Sequence, residues 1–144
     1  MPAMSQDEKE AFLADLHVGV LAINDGANGP LTAPIWYDYQ PGGSLWFITG
    51  RNSRKGKLLE VGSRVSLVAQ TEDAPYKYVS VEGPVTAIDA HDNEILGMAI
   101  RYLGEEQGKA YAAASPDSSA DAGSGSIVVK VTPERWLTVD YSKG

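Results

Sequence analysis

Cysteine is absent from the 144 residues. That removes disulfide frameworks, thiol nucleophiles and cysteine-ligated metals together. Histidine occurs twice, as His17 and His91. Neither has a partner at metal-ligand spacing, and each reads as a surface or helix-end residue. No apolar run approaches the roughly 18 residues of a membrane span. An excess of positive charge is missing too: 12 basic against 19 acidic residues give a formal charge of −7. This disfavours sequence-independent binding to nucleic acid or anionic membranes, which rests on clustered cations. The opening MPAMSQDEKEAF lacks the basic start and apolar middle of a signal peptide, so the expected setting is the cytoplasm. There is no G-x-S-x-G elbow, no Walker loop and no G-x-G-x-x-G after a strand.

What is present fits a single domain spanning 1–144. The length suffices to bury a core without staples, and 43% hydrophobic with 22% charged residues is a globular balance. Ser5 and Glu8 have capping-box spacing, and Phe12, Leu13 and Leu16 make one helical stripe, which predicts a helix over 6–16. VGVLAI at 18–23 reads as a buried strand, and NDGANG at 24–29 as a turn. LTAPIWYDY at 31–39 reads as a second strand, where Pro34 demands an edge or a bulge. SLWFIT at 44–49 returns as a third. GRNSRKGKLLEVG at 50–62 predicts a loop leading into a short helix. RVSLVAQ at 64–70 and YKYVSVEG at 76–83 are strands, the latter continuing past Gly83-Pro84 to 88. Apolar positions 95, 96, 99, 100 and 103 predict an amphipathic helix over 92–103, with Asp92 and Glu94 as helix-start charges, and a second helical piece covers 105–114. SPDSSADAGSGS at 115–126 is low-complexity and reads as a mobile loop. IVVKVTPERWLTVDY supplies one or two last strands, broken at Pro133. Short connections favour antiparallel neighbours, so the expected fold is mainly β: an antiparallel barrel with helices packed outside.

Four of the twelve basic residues, Arg51, Arg54, Lys55 and Lys57, fall within seven positions, with Ser53 and Gly56 between them. Two readings stand. One is a solvated polar turn. The other is an anion site, in which amides at a helix start, the flat guanidinium of Arg and the point charge of Lys converge on a phosphate, with Thr49 and Ser53 adding hydroxyls. Trp36, Tyr37, Tyr39, Trp46 and Phe47 read by default as strand aromatics of a core or a dimer face.

LTAPIWYDY, LWFITGRNSRKGKLLEVGSRVSLVAQ and YKYVSVEG, in that order and spacing, resemble the pyridoxamine 5′-phosphate oxidase-like superfamily. More narrowly they resemble its branch of flavin- and deazaflavin-dependent oxidoreductases. The resemblance covers about residues 10–140, and RYLGEEQG at 101–108 with Tyr111 resembles a segment of the same group. It implies a six- to seven-stranded split β-barrel of the FMN-binding type, a homodimer, and a cofactor groove between subunits. It implies that Arg54, Lys55 and Lys57 hold the cofactor phosphate with Thr49 and Ser53 assisting, that Thr32, Ala33, Pro34, Ile35 and Trp36 border the ring, and that Trp46 and Tyr78 are further groove residues. The implied cofactor is the deazaflavin coenzyme F-420, ahead of FMN, with Arg51 or Lys77 meeting its acidic tail. The implied reaction is hydride transfer to a small organic acceptor, with water, Tyr37 or Tyr78 as proton source. An FMN-dependent oxidoreductase and a non-catalytic flavin or tetrapyrrole carrier are the alternatives.

Overall fold

The computed structural model describes residues 2–114 and 125–144. Helix α1 (Gln6–Ala14) opens with the expected capping box: Ser5 Oγ accepts the Glu8 N–H at 3.2 Å, and Glu8 Oε1 accepts the Ser5 N–H at 2.8 Å. It stops at Asp15, short of the predicted end, and Leu16 is exposed. Side chains from outside the helix take its last carbonyls. His17 Nε2 meets Phe12 O at 3.0 Å, and Arg101 Nη2 donates to Ala14 O at 3.0 Å and Asp15 O at 3.2 Å.

Eight strands follow: β1 (Gly19–Asp25), β2 (Asn28–Ile35), β3 (Tyr37–Tyr39), β4 (Leu45–Gly50), β5 (Arg64–Gln70), β6 (Lys77–Ala90), β7 (Ser126–Val131) and β8 (Arg135–Asp140). Helix α2 (Arg54–Leu58) sits between β4 and β5; α3 (Glu94–Leu103) and α4 (Glu105–Ala114) follow β6. A 3-10 turn (Tyr141–Lys143) ends the chain. Neighbours run β2-β1-β5-β6-β7-β4-β3, all antiparallel, with β8 also on β6.

The two ends of that path, β2 and β3, are halves of one stretch of chain, separated only by Trp36. The sheet therefore curls until its edges meet at that residue. Likewise β7 and β8 lie one after the other along β6, from Ala90↔Ile127 to Lys77↔Asp140, with a register shift between Val85 and Ala87 and an interruption around Pro133. Counted as continuous stretches, the eight segments make a six-stranded antiparallel split barrel with flanking helices. The predicted strand 31–39 breaks at Trp36, where the chain leaves β1 for β4. Pro34 lies opposite Val20 in an edge strand, the setting in which a sheet tolerates proline.

β6 serves both sides of the barrel: Lys77–Glu82 pair with β8 and Val85–Ala90 with β7, with a bulge between Val85 and Ala87. A Cβ at position 83 would lie 1.8 Å from Thr132 O, so only glycine lets the strands cross there. Inward residues alternate along β1, β4 and β5, and Tyr37, Tyr39, Phe47, Leu21, Leu45, Val79 and Val129 fill the interior, joined by Leu13 of α1. Three of the strand aromatics are thus core. Of the loop expected over 115–126, residues 115–124 lie outside the described residues, while Gly125 is in a turn and Ser126 begins β7. Among the described residues no helix is long and apolar enough to cross a membrane.

Candidate functional site

The loop between β4 and α2 is built by Ser53. Its Oγ accepts the Gly56 N–H at 3.1 Å as helix cap, donates to Gly50 O at 2.7 Å and lies 3.3 Å from Thr49 Oγ1. A Cβ on Gly56 would come 2.1 Å from Gly50 O, so this tight wrap requires glycine there. The wrap rotates the four cations of the basic run to different places. Lys55 is half-buried and lines a cavity of about 450 Å³. Arg54 is 67% exposed and ion-paired with Asp25 at the end of β1. Arg51 and Lys57 are exposed.

The cavity is walled by strands on one side and by α3 and α4 on another. Val18 and the strand switch contribute one wall, through Pro34, Ile35 and Trp36; β4 and β7 contribute Ile48, Thr49, Gly50 and Ser126; α3 contributes Ile95 and Met98, and α4 contributes Tyr111. Its size is that of a small-molecule site. Lys55 is the one charged side chain in this lining, and no carboxylate is among the lining residues. A cation and hydroxyls beside apolar and aromatic surface suit a planar ring compound bearing an anionic group.

Trp36 is held from behind. Its ring stacks on Tyr102 at 5.0 Å and 7°, and Tyr111 tilts against it at 5.3 Å. Tyr102 Oη accepts the Tyr37 N–H at 3.0 Å and donates to His17 O at 2.5 Å, supplying bonds that the interrupted ladder cannot. Burial pushes its phenol pKa up, keeping the donor protonated. Arg101 Nε donates to Tyr37 O at 3.3 Å. Helix α4 comes close enough to bring Tyr111 over because Gly108 lies against α3; a Cβ there would be 2.5 Å from Ile100 Cα.

The structure thus brings Pro34, Ile35, Trp36, Thr49 and Lys55 of the expected set together. Thr32 and Ala33 lie one to two residues along β2, outside the lining; Ser53 is spent within its loop, and Arg54 and Lys57 point elsewhere. Trp46 faces the same side of β4 as Ile48 but beyond the cavity, and Tyr78 is on β6 away from it. Tyr37 is fully buried, its Oη donating to Leu13 O at 2.7 Å, and burial drives its pKa far upward. Lys77 lines a separate small cavity with Glu8, Asp15 and Asp140. His91 is buried rather than at the surface. Sequence reasoning missed Val18, Ile48, Gly50, Ile95, Met98, Tyr111 and Ser126 as lining. The amphipathic stripe of α3 was a signal that this helix covers something, without saying what.

A barrel split in this way, with a cavity of small-molecule size and a single lysine in its lining, defines a split-barrel protein with a candidate ligand site. A family model described as pyridoxamine 5′-phosphate oxidase matches residues 5–140, and the chain belongs to that family of oxidoreductases. Among solved structures, an F420 reductase is similar over 89% of this chain and 94% of its own, at 22% identity and a TM-score of 0.70. A conserved hypothetical protein from Mycobacterium tuberculosis is similar over 99% and 88%, at 22% identity and a TM-score of 0.74. The FAD binding protein from Mycobacterium smegmatis is similar over 96% and 97%, at 16% identity and a TM-score of 0.61. At these identities the likeness is one of fold. No curated protein matches the chain.

Proposed function

We propose that the chain is an oxidoreductase that holds the deazaflavin coenzyme F-420 in this cavity and passes hydride to a small organic acceptor, with FMN as the alternative cofactor. The observation that carries the reading is Lys55, the one charge in a lining of apolar, aromatic and hydroxyl groups. Lys55 and Thr49 Oγ1 hold the cofactor phosphate. Because β2 is a sheet edge, part of its backbone faces away from β1 and borders the ring between Pro34 and Trp36. An acidic tail leaves the cavity toward Arg51, which is exposed just before α2; Lys77 is not used. The similar fold of an F420 reductase favours the deazaflavin, and that of an FAD binding protein keeps the plain flavin open.

The bound cofactor supplies the two-electron chemistry, and the chain supplies binding and orientation. Tyr37 is committed to Leu13 O and Tyr78 lies off the cavity, so water provides any proton the acceptor needs. The protein works as a homodimer. Pro34, Val20, Val68, Ser80 and Leu137 form one cross-strand row on the outer face of β2, β1, β5, β6 and β8. Val20 and Leu137 are exposed there. Since Pro34 belongs to both row and cavity, a second copy on this face borders the cofactor.

Parallel titration with F-420 and FMN, followed by absorbance and tryptophan emission, tests the reading. Saturable F-420 binding, with oxidation of the reduced coenzyme by an added acceptor, is expected. Tight FMN binding without any response to F-420 moves the function to the alternative cofactor. Binding without turnover by any acceptor leaves a carrier, and absence of both binding events retires the proposal.

A further inference from the structure

His91 is not in the cavity lining but adjoins two residues that are, Ser126 and Ile95. Gly50 of β4 pairs with Ser126 of β7. One residue beyond the Ala90–Ile127 pair, the His91 N–H donates to Ser126 O at 3.2 Å. Residues directly opposed in antiparallel strands project from the same face of the sheet. His91 therefore shares a sheet face with three lining residues, Ile48, Gly50 and Ser126, and the N–H of a fourth, Ile95, is bonded to it.

The imidazole is only 4% exposed. Its Nε2 accepts the Ile95 N–H at 3.1 Å, replacing the side-chain cap that Asn93 does not provide for α3. A neutral ring that accepts at Nε2 carries its proton on Nδ1. Among the described residues, that Nδ1 is the buried side-chain polar atom without a hydrogen-bond partner. Folded interiors rarely leave such a donor unspent, and an exception calls for a cause.

We infer that His91 is a ligand-binding residue whose Nδ1–H donates to an acceptor oxygen at the anionic end of the molecule held beside Lys55, Thr49 and Ser126. The inference rests on the cofactor reading above and adds to it a neutral donor besides the lysine. The ligand class it fits is a ring compound with a phosphate or carboxylate, since a neutral buried N–H needs an oxygen acceptor and a charged one strengthens the bond.

Two isosteres separate the two nitrogens. His91→Gln places an amide oxygen where Nε2 accepts and removes the Nδ1 donor; His91→Asn keeps a donor near Nδ1 and removes the cap. Dissociation constants for F-420 and FMN, and thermal unfolding of each variant without ligand, are measured side by side. Expected are about tenfold weaker cofactor binding for His91→Gln with near-normal unfolding, and near-normal binding for His91→Asn with earlier unfolding. In wild type, the Nδ1 proton seen by nitrogen-15 NMR should exchange quickly without cofactor and become protected when F-420 or FMN is added. That second readout decides the matter if either variant fails to fold. Wild-type binding with unaffected His91→Gln affinity overturns this inference alone, as does an Nδ1 proton already protected in the free protein. Wild type that binds neither cofactor overturns it together with the cofactor reading.

Discussion

The two outer faces of the barrel are finished differently. Around the first part of β6, the face made with β1, β5 and β8 leaves Val20 and Leu137 exposed. Around the second part, the face made with β4 and β7 carries α3: Ile95 and Met98 share a cavity with Ile48, and Val128, paired with Ile48, is buried. One strand thus serves a side closed by the chain's own helices, where a small molecule fits, and a side left for another surface. The close approach of Gly83 to Thr132, between β7 and β8, lets one strand belong to both.

Filling that close approach should do the most damage. Gly83→Ala drives a methyl into Thr132 O, and the expected loss is about 4 kcal/mol or more, read by chemical denaturation. Near-normal stability would mean that the two faces are not joined as described. On the covered side, Tyr102→Phe strips the partner from the Tyr37 N–H and from His17 O. A cost of about 1–3 kcal/mol is expected from groups left unsatisfied, together with changed Trp36 emission. On the open side, Val20→Asp or Leu137→Asp should raise the dimer dissociation constant at least tenfold, about 1.4 kcal/mol, in sedimentation velocity, with the barrel still folded. An unchanged sedimentation coefficient would assign that face to something other than a second copy.

The smallest effect lies on neither face. Lys143 Nζ, 2.6 Å away, and the Ser5 N–H hold the Glu8 carboxyl down at about 2, from an ordinary 4.5. Because the folded value is the lower one, this contribution is complete above about 4.5 and is lost as pH falls through about 2. Glu8→Gln should flatten that acid limb of the stability profile slightly and leave neutral pH almost untouched. A limb unchanged by the substitution would remove the latch from the account.

Much of the scaffold was legible in the sequence because it is written locally: capping-box spacing, alternation in the strands, turn residues between them, the stripe of α3. The break at Trp36 was not, since it is set by which strands the chain must reach on either side, whereas Pro34 drew attention through its own chemistry. The basic run was visible as charge, but charge does not state direction. Lys55 faces the cavity and Arg54 faces Asp25 because Ser53 and Gly56 fold the preceding loop back on Gly50. His91 read as peripheral because its burial depends on where α3 lies.

Those two directions on a single short helix offer the most direct trial of the central claim, that the cavity rather than the basic run as a whole receives the phosphorylated ring compound. Affinity for F-420 and FMN should be measured in Lys55→Ala and Lys57→Ala at the same ionic strength. The account predicts at least a tenfold loss for Lys55→Ala, about 1.4 kcal/mol, and less than about a twofold change for Lys57→Ala, whose loss is a screened surface charge. Equal losses in both, or none in Lys55→Ala, would contradict it.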